Sequence, residues 1–143
     1  MIDLNSVNIK RLSEDATLPT RAHPDDAGLD LYCCEDIVLL SGQGVLARTG
    51  VAIALPAGFA GMVADRSSLA KRGIKTAGGI IDAGYRGEIQ IVLWNISTTR
   101  VDFRKKERIA QLLIIPVATP FVEEVKVLND TSRGVDGFGS TGK

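Results

Sequence analysis

The sequence has few of the residues that build metal centres and disulfide frameworks. Its 143 residues include two cysteines, one histidine and one tryptophan, and the cysteines, Cys33 and Cys34, are neighbours. Adjacent cysteines rarely reach disulfide geometry, so we expect two free thiols in a reducing compartment. With only His23 left to join them, a structural metal site of the cysteine and histidine type is not expected.

An excess of charge of one sign is also missing. Lys and Arg total 17, as do Asp and Glu, and no long run carries one sign. Proteins that hold duplex nucleic acid without sequence preference concentrate Lys and Arg on one face, so no nucleic-acid partner is expected. No apolar stretch approaches the roughly 20 residues of a membrane span, and residues 1–14 lack the apolar core of a secretory signal. We expect a cytoplasmic protein without a membrane partner.

What the chain does have is alternation with a period of two, which is typical of β-strands. Apolar or alternating runs occupy residues 51–55, 59–64, 89–94, 101–103 and 109–117, and three valines predict another strand at 122–127. The run at 109–117 is almost continuously apolar, so periodicity alone also allows a helix there. Many short strands at close spacing predict an all-β sandwich, jelly roll or closed barrel.

Helical signal is confined to residues 67–73. Two serines suited to cap a helix precede Leu-Ala-Lys-Arg, and Gly73 ends the run, so we predict one or two helical turns. No linker divides residues 1–130, which we take as one domain. Residues 131–143 shift to Gly, Ser and Thr and hold too little apolar surface to order themselves, which predicts a flexible tail.

Five short segments carry residue types suited to nucleotide chemistry: residues 27–31 (Ala-Gly-Leu-Asp-Leu), 65–70 (Asp-Arg-Ser-Ser-Leu-Ala), 78–88, 105–113 and 133–143. In the second, Arg66, Ser67 and Ser68 meet the predicted start of the helix. Unpaired N–H groups and the helix dipole favour an anion there, and arginine adds a charged fork for phosphate oxygens. An ordinary serine cap beside an exposed arginine is the alternative.

The remaining segments each admit a structural interpretation beside the functional one. Asp82 ends an apolar run, where a buried carboxylate needs a partner or a task, and Tyr85 follows it; alternatively the two are a turn residue and a packing residue. Gln111 is an amide inside an apolar strand and needs hydrogen-bond partners. Asp30, between two leucines, either faces solvent or joins the site. Residues 137–143 resemble part of a P-loop, but no Ser or Thr follows Lys143, and we reject that motif.

In this order and spacing, the five segments resemble the trimeric dUTPase family, and the match runs from about Ala27 to the last residue. The most specific parts are residues 66–70, 81–87, 108–112 and 137–142. The resemblance implies a jelly-roll-like β-barrel with one short helix, and a homotrimer whose three active sites are shared between subunits. It implies that a strand near residues 121–128 crosses to a neighbour. The implied reaction is hydrolysis of dUTP to dUMP and pyrophosphate, with Mg²⁺ on the triphosphate.

The resemblance also implies roles for individual residues. Asp82 is similar to the carboxylate that activates the attacking water, and Tyr85 to the aromatic that leaves no room for a 2′-hydroxyl. The backbone of Gly79, Ile80 and Ile81 is similar to the hairpin edge that pairs with uracil. The remaining matches concern the phosphates, the metal and the closing tail: Arg66, Ser67 and Ser68 on phosphates; Gln111 on a phosphate and a metal-bound water; Asp30 in the outer shell of the metal; and Arg133, Phe138, Gly139 and Ser140 in the tail, with Phe138 over the base.

Three positions depart from the family pattern. Lys106 and Glu107 stand where Gly-Asp is common, Asp136 stands where glycine is frequent, and Thr76 stands where many bacterial relatives carry an amide. Two other functions remain open. A dCTP deaminase shares the fold and an Arg-Ser-Ser segment, but it typically has Arg at the position of Lys71 and Phe at that of Tyr85. A non-catalytic nucleotide-binding protein is the second, although both Asp82 and Gln111 are present.

Overall fold

The computed structural model describes residues 4–139, and strands make up nearly all of its regular structure. The elements in chain order are β1 (Asn8–Arg11), β2 (Leu29–Tyr32), β3 (Ile37–Leu39), β4 (Gly44–Arg48), β5 (Val51–Ala54), β6 (Phe59–Ala64), α1 (Ser67–Ala70), β7 (Ile74–Ala77), β8 (Ile80–Ile81), β9 (Gln90–Asn95), β10 (Val101–Phe103) and β11 (Arg108–Pro116). The prediction of an all-β chain with one short helix is therefore confirmed.

All strand pairs are antiparallel and form four sheets. The largest has the order β2-β11-β6-β8, the next β4-β9-β7, and β1 pairs with β5 as β3 pairs with β10. Their inward faces enclose one apolar core, whose largest fully buried side chains include Leu31, Leu39, Ile53, Ile91 and Leu112. The alternation of buried and exposed residues along β3, β9 and β10 is the period of two that the sequence displays.

Strand β11 is the longest element and settles the ambiguity of the run at 109–117. It pairs with β2 on one edge and β6 on the other. Ile109, Ala110 and Leu112 are buried, so side chains of both faces are covered. A continuous apolar run therefore marks a central strand here, because both faces of such a strand pack against protein.

Helix α1 has one turn, within the predicted one or two, but its cap differs. The N-cap is Arg66, in an extended conformation without a side-chain cap hydrogen bond. The amides of Leu69 and Ala70 both donate to the carbonyl of Arg66, which closes the first turn on the arginine. The expectation that Ser67 and Ser68 cap the helix is wrong, because strand β6 leads directly into Arg66 and places both serines inside the turn.

The prediction of a strand at residues 122–127 is not met in the described chain. No strand follows Pro116 up to residue 139, and Phe121 and Val122 are fully exposed. A strand forms only against a partner edge, and in a single chain this segment lies along none. The run of apolar side chains is therefore left without cover.

Two further features concern the surface and the thiols. Cys33 and Cys34 are buried and free, and burial raises the pKa of both thiols. Trp94 is 44% exposed on the outer face of the β4-β9-β7 sheet, and its ring covers Gly44. Across residues 4–139, the model has no helix that is both long and apolar enough to cross a membrane.

Candidate functional site

The turn after strand β6 gathers most of the charged residues that the sequence singled out. Arg66 donates through Nε to Oδ1 of Asp30 at 3.0 Å, and Arg108 donates through Nη1 to Oδ2 at 3.3 Å. Gln111, directly opposite Asp30 in the β2–β11 register, donates through Nε2 to the carbonyl of Asp65 at 2.8 Å. The amide inside the apolar strand thus has the partner that its position required.

A polar cleft of about 220 Å³ lies at this turn. It is lined by Asp30, Arg66, Arg108 and Gln111, together with Ser67, Ser68 and Asp26. Asp30 is not directed to solvent: its side chain is 16% exposed and is held between the two arginines. An acidic group between two cations orients both guanidinium groups and leaves the cleft with cationic donors. The arrangement suits a polyanion such as a chain of phosphates.

Sequence reasoning missed Asp65, which connects this turn to strand β7. Its carboxylate accepts hydrogen bonds from Thr76 N at 2.7 Å, Thr76 Oγ1 at 2.6 Å and Lys75 Nζ at 2.6 Å. Partial burial by itself would raise the pKa of Asp65, but the hydrogen bonds from Lys75 and Thr76 hold that pKa below its ordinary value. The available signal was an acid immediately before Arg66, and only the fold shows its partners.

The second group of predicted residues lies on the edge strand β8. One edge of β8 pairs with β6, and the other edge has no strand beside it among the described residues. Gly79 precedes β8 with a φ of 97°, and its carbonyl accepts from Val63 N at 2.7 Å. A Cβ at Gly79 would lie 3.0 Å from the carbonyl oxygen of Val63, so glycine is required there by both φ and space. An unpaired row of N–H and C=O groups remains available.

Asp82 and Tyr85 follow that edge and line a cleft of about 260 Å³ with Gly79, Ile80 and Ile81. Asp82 lies at the end of the apolar run, as predicted: Ile81 is buried, and Asp82 begins the exposed turn after it, where its carbonyl accepts from Tyr85 N. Its carboxylate has no hydrogen bond to protein within residues 4–139 and so remains able to bind water. Tyr85 is 46% exposed, and its hydroxyl donates to the carbonyl of Glu88 at 2.9 Å.

Glu88 is a second residue that sequence reasoning missed. Its carboxylate accepts from Gly50 N at 2.8 Å and from Arg48 Nε at 3.2 Å, which fastens the end of the hairpin to the β4–β5 turn. Nothing in the local sequence distinguishes Glu88 from an ordinary surface acid, because its partners lie about forty residues earlier in the chain.

The fold therefore divides the predicted site into two parts. Asp30, Arg66, Ser67, Ser68 and Gln111 share one cleft. Gly79, Ile80, Ile81, Asp82 and Tyr85 share another, and no lining residue is common to both. The predicted tail residues join neither. Arg133 donates to the carbonyl of Asp136, Phe138 is fully exposed, and Gly139 ends the described chain. Ser140 lies outside the described residues.

The donor set decides whether Mg²⁺ suits the phosphate cleft. Within residues 4–139 no three carboxylate, histidine or cysteine side chains are grouped as a metal cage. The cleft does hold oxygen donors: the carboxylates of Asp26 and Asp30, and Oε1 of Gln111, which accepts no protein hydrogen bond in the described chain. Mg²⁺ is commonly held by one or two carboxylates, waters and substrate phosphates, and the residues present fit that mode.

Comparison with known proteins agrees with this geometry. A family model described as dUTPase matches residues 14–142. The chain is 46% identical to the deoxyuridine 5′-triphosphate nucleotidohydrolase of Rhodococcus erythropolis, over 99% of this chain and 89% of that protein.

Solved structures give the same result. The Staphylococcus bacteriophage 80alpha dUTPase G164S mutant with dUpNHpp superposes with a TM-score of 0.93 at 30% identity, covering 97% of this chain and 99% of that one. The D95N mutant of the dUTPase from phage phi11 of S. aureus, described with a structural Mg(II) ion, has a TM-score of 0.81 at 27% identity, over 86% and 98%. These likenesses confirm the jelly-roll-like barrel. Because the family model covers nine-tenths of the chain and includes both clefts, the chain belongs to the dUTPase family.

Proposed function

We propose that this chain hydrolyses dUTP to dUMP and pyrophosphate. The observation that carries the proposal is the course of β8, whose open backbone edge runs directly into Asp82 and Tyr85 within one cleft. The backbone edge for the nucleobase, the carboxylate for the attacking water and the aromatic ring for the sugar thus lie within seven residues, 79–85. The reaction removes dUTP from the precursors of DNA and supplies dUMP for thymidylate synthesis.

The open edge of β8 explains a preference for uracil. Uracil presents an acceptor, a donor and an acceptor along its pairing edge, which complements alternating backbone N–H and C=O groups. Cytosine presents an amino donor where uracil has an acceptor, and buried polar groups left unpaired in this way lower affinity strongly. Gly79, Ile80 and Ile81 are assigned to this contact. The same mismatch argues against dCTP as the substrate.

The division of the site between two clefts supports a homotrimer with shared active sites. Asp82 and Tyr85 of one subunit would face Arg66, Ser67, Ser68 and Gln111 of another, because one chain does not bring the two groups into a common cleft. The uncovered segment at 121–128 supports exchange of a C-terminal strand, since a contiguous exposed apolar run is typical of an interface.

The phosphate cleft would hold the triphosphate. Arg66 contributes a guanidinium, the Ser67 and Ser68 amides contribute N–H donors, and Asp26, Asp30 and Gln111 contribute oxygens toward Mg²⁺ and its waters. When bound, Mg²⁺ neutralises charge on the phosphate oxygens. Phosphoryl transfer depends chiefly on positioning and charge neutralisation, which is what this set of residues supplies.

Asp82 would act as the general base. Its exposed carboxylate, free of protein hydrogen bonds in the described chain, orients a water toward the α-phosphorus and accepts its proton as the bond to pyrophosphate breaks. Tyr85 lies beside it and would meet the deoxyribose, so that a 2′-hydroxyl finds no space. Residues 131–143 would then close over the bound nucleotide, with Phe138 on the base and Arg133 and Ser140 on the phosphates, and exclude bulk water.

A panel of ribo- and deoxynucleoside triphosphates, assayed with product identification, tests the proposal. We expect dUTP to be consumed far faster than dCTP, dTTP and UTP, with dUMP and pyrophosphate as products in the presence of Mg²⁺. Ammonia release from dCTP would instead support a deaminase. Nucleotide binding without turnover of any member would support a regulatory binding protein.

A further inference from the structure

The position of the Tyr85 ring depends on a neighbour that has no side chain. A Cβ built on Gly87 would lie 2.6 Å from Cζ of Tyr85 and 3.0 Å from Cε2, and closer still to the hydroxyl oxygen. Carbon atoms in contact stand about 3.5 to 4.0 Å apart, so any side chain at 87 and this ring position exclude each other. The φ of Gly87 is not in the left-handed region, so the ring, not the backbone conformation, requires glycine.

The ring is also constrained by the hydrogen bond from its hydroxyl to the carbonyl of Glu88. That acceptor is itself fixed to the barrel. The Glu88 carboxylate accepts from Gly50 N and Arg48 Nε, and the next amide, Ile89 N, donates to the carbonyl of Val51 at 2.8 Å. The ring therefore lies close to the backbone at Gly87, bonded to an anchored acceptor, and lines the open cleft.

We infer that Gly87 is a specificity-determining position, which sets the distance of the Tyr85 ring from the hairpin backbone and thereby the space beside C2′ of the sugar. The inference rests on the proposed function, because it takes Tyr85 as the aromatic that meets the deoxyribose. Gly87 touches no substrate and acts through the ring. A methyl group at 87 displaces the ring away from the backbone of residue 87 and breaks its hydrogen bond to Glu88.

A stability measurement tests the mechanical part without any substrate. We expect Gly87→Ala to lower the melting temperature, and the double variant Tyr85→Ala/Gly87→Ala to regain most of the loss relative to Tyr85→Ala alone, because the ring that clashes is gone. Gly84→Ala is the matched control: Gly84 lies in the same hairpin with an ordinary φ, and a Cβ there meets no atom within 4 Å. Its melting temperature should match that of the unsubstituted protein.

Kinetics test the specificity part, with the ratio of kcat/KM for dUTP to that for UTP as the readout. We expect Gly87→Ala to lower this ratio by about tenfold or more, since misplacing a positioning group by about 1 Å carries such a cost. On the Tyr85→Ala background the same substitution should change the ratio no further. Gly84→Ala should leave the ratio unchanged.

The outcomes separate this inference from the proposed function. The role of Gly87 is overturned if Tyr85→Ala lowers the ratio and Gly87→Ala does not. It is also overturned if Gly87→Ala lowers the ratio by the same factor on the Tyr85→Ala background. If Tyr85→Ala itself leaves the ratio unchanged, the sugar assignment of the proposed function fails, and the specificity role of Gly87 fails with it. The melting temperatures still show in that case whether Gly87 acts on the ring.

Discussion

Among single residues, Asp82 carries the most chemical weight in the proposed reaction. It is exposed and lies in the cleft beside the open edge of β8, and its carboxylate accepts no protein hydrogen bond in the described chain. A carboxylate in that setting is available to bind water and makes no hydrogen bond that stabilises the fold. Its role is therefore separable from stability by substitution.

Asp82→Asn should retain nucleotide binding and lose turnover by about a hundredfold or more, the usual contribution of a general base. The measurement is kcat for dUTP beside the dissociation constant of a non-hydrolysable analogue. Asp25→Asn, at an exposed acid outside both clefts, is the control and should behave as the unsubstituted protein. A kcat within a fewfold of normal for Asp82→Asn would refute the base assignment.

Lys106 introduces conformational strain at a single backbone position. It is the third residue of the turn from Arg104 to Glu107 and has a φ of 72°, where a side chain is strained. Glycine adopts this φ without strain, so the chain retains at Lys106 a strain that a glycine would avoid.

Lys106→Gly should raise the free energy of unfolding by up to about 1 kcal/mol, because relief of the strained φ exceeds the added entropy of the unfolded chain. Denaturant unfolding measures it. Lys106→Ala keeps the Cβ and the strain, and should give no gain. Equal stabilisation by both substitutions would show that the lysine side chain, and not φ, is responsible.

Among the elements, β6, α1 and β7 form a unit that depends on Asp65. Its carboxylate holds Thr76 and Lys75 of β7, and its carbonyl holds Gln111 of β11. The turn that carries Arg66 is thus fastened on two sides. In a trimer with shared sites, this unit would join the phosphate turn of one active site to the uracil hairpin of another.

Asp65→Asn should destabilise the protein by about 1.5 to 3 kcal/mol at neutral pH, the range of a hydrogen bond to a charged group. Because the native pKa of Asp65 is lowered, its contribution is present above the ordinary pKa of about 4 and is lost as the pH falls through the lower native value. The difference in the free energy of unfolding between the unsubstituted protein and Asp65→Asn should therefore narrow below about pH 4. Unfolding curves across pH check this, and a gap that stays constant down to pH 2 would contradict it.

In the whole molecule, the decisive question is whether one chain contains a complete active site. The two clefts share no lining residue, which argues that it does not. Asp82→Asn and Arg66→Ala subunits, each inactive alone, should regain activity when unfolded together and refolded as a mixture. In about a quarter of the sites, Asp82 would then come from an Arg66→Ala subunit and Arg66 from an Asp82→Asn subunit, so that both residues are present. Refolded unsubstituted protein is the control, and a mixture as inactive as its components would disprove shared sites.

Removal of residues 131–143 provides a separate test of the closing tail. The hydrogen bonds of the described part of this segment stay within it, so the truncated protein should remain folded and oligomeric. Turnover of dUTP should fall by about tenfold or more, because the site stays open to water. Melting temperature and molar mass are the controls. Loss of the fold on truncation would make the segment structural and contradict its role as a lid.

Local patterns were enough to predict much of the fold and of the chemistry. Alternation predicted strands at 51–55, 59–64, 89–94 and 101–103 within a residue or two, because every second side chain of such a strand faces the core and is apolar. Arg66, Asp82, Tyr85 and Gln111 were singled out by residue type, and the family resemblance gave them roles that stay predictions. Their clustering within each cleft follows from short stretches of chain that are contiguous or directly paired, such as Asp30 opposite Gln111.

Only the tertiary structure placed Asp82 in solvent, left the 121–128 segment unpaired, and revealed Asp65 and Glu88 as anchors. Each of these depends on partners far away in the chain, or on a strand edge that is absent among residues 4–139. Periodicity reports which face of a strand is apolar, but it does not report which strand lies beside it. Hence the candidate residues of the site were selected from the sequence and their roles stay predictions, whereas their separation into two clefts required the fold.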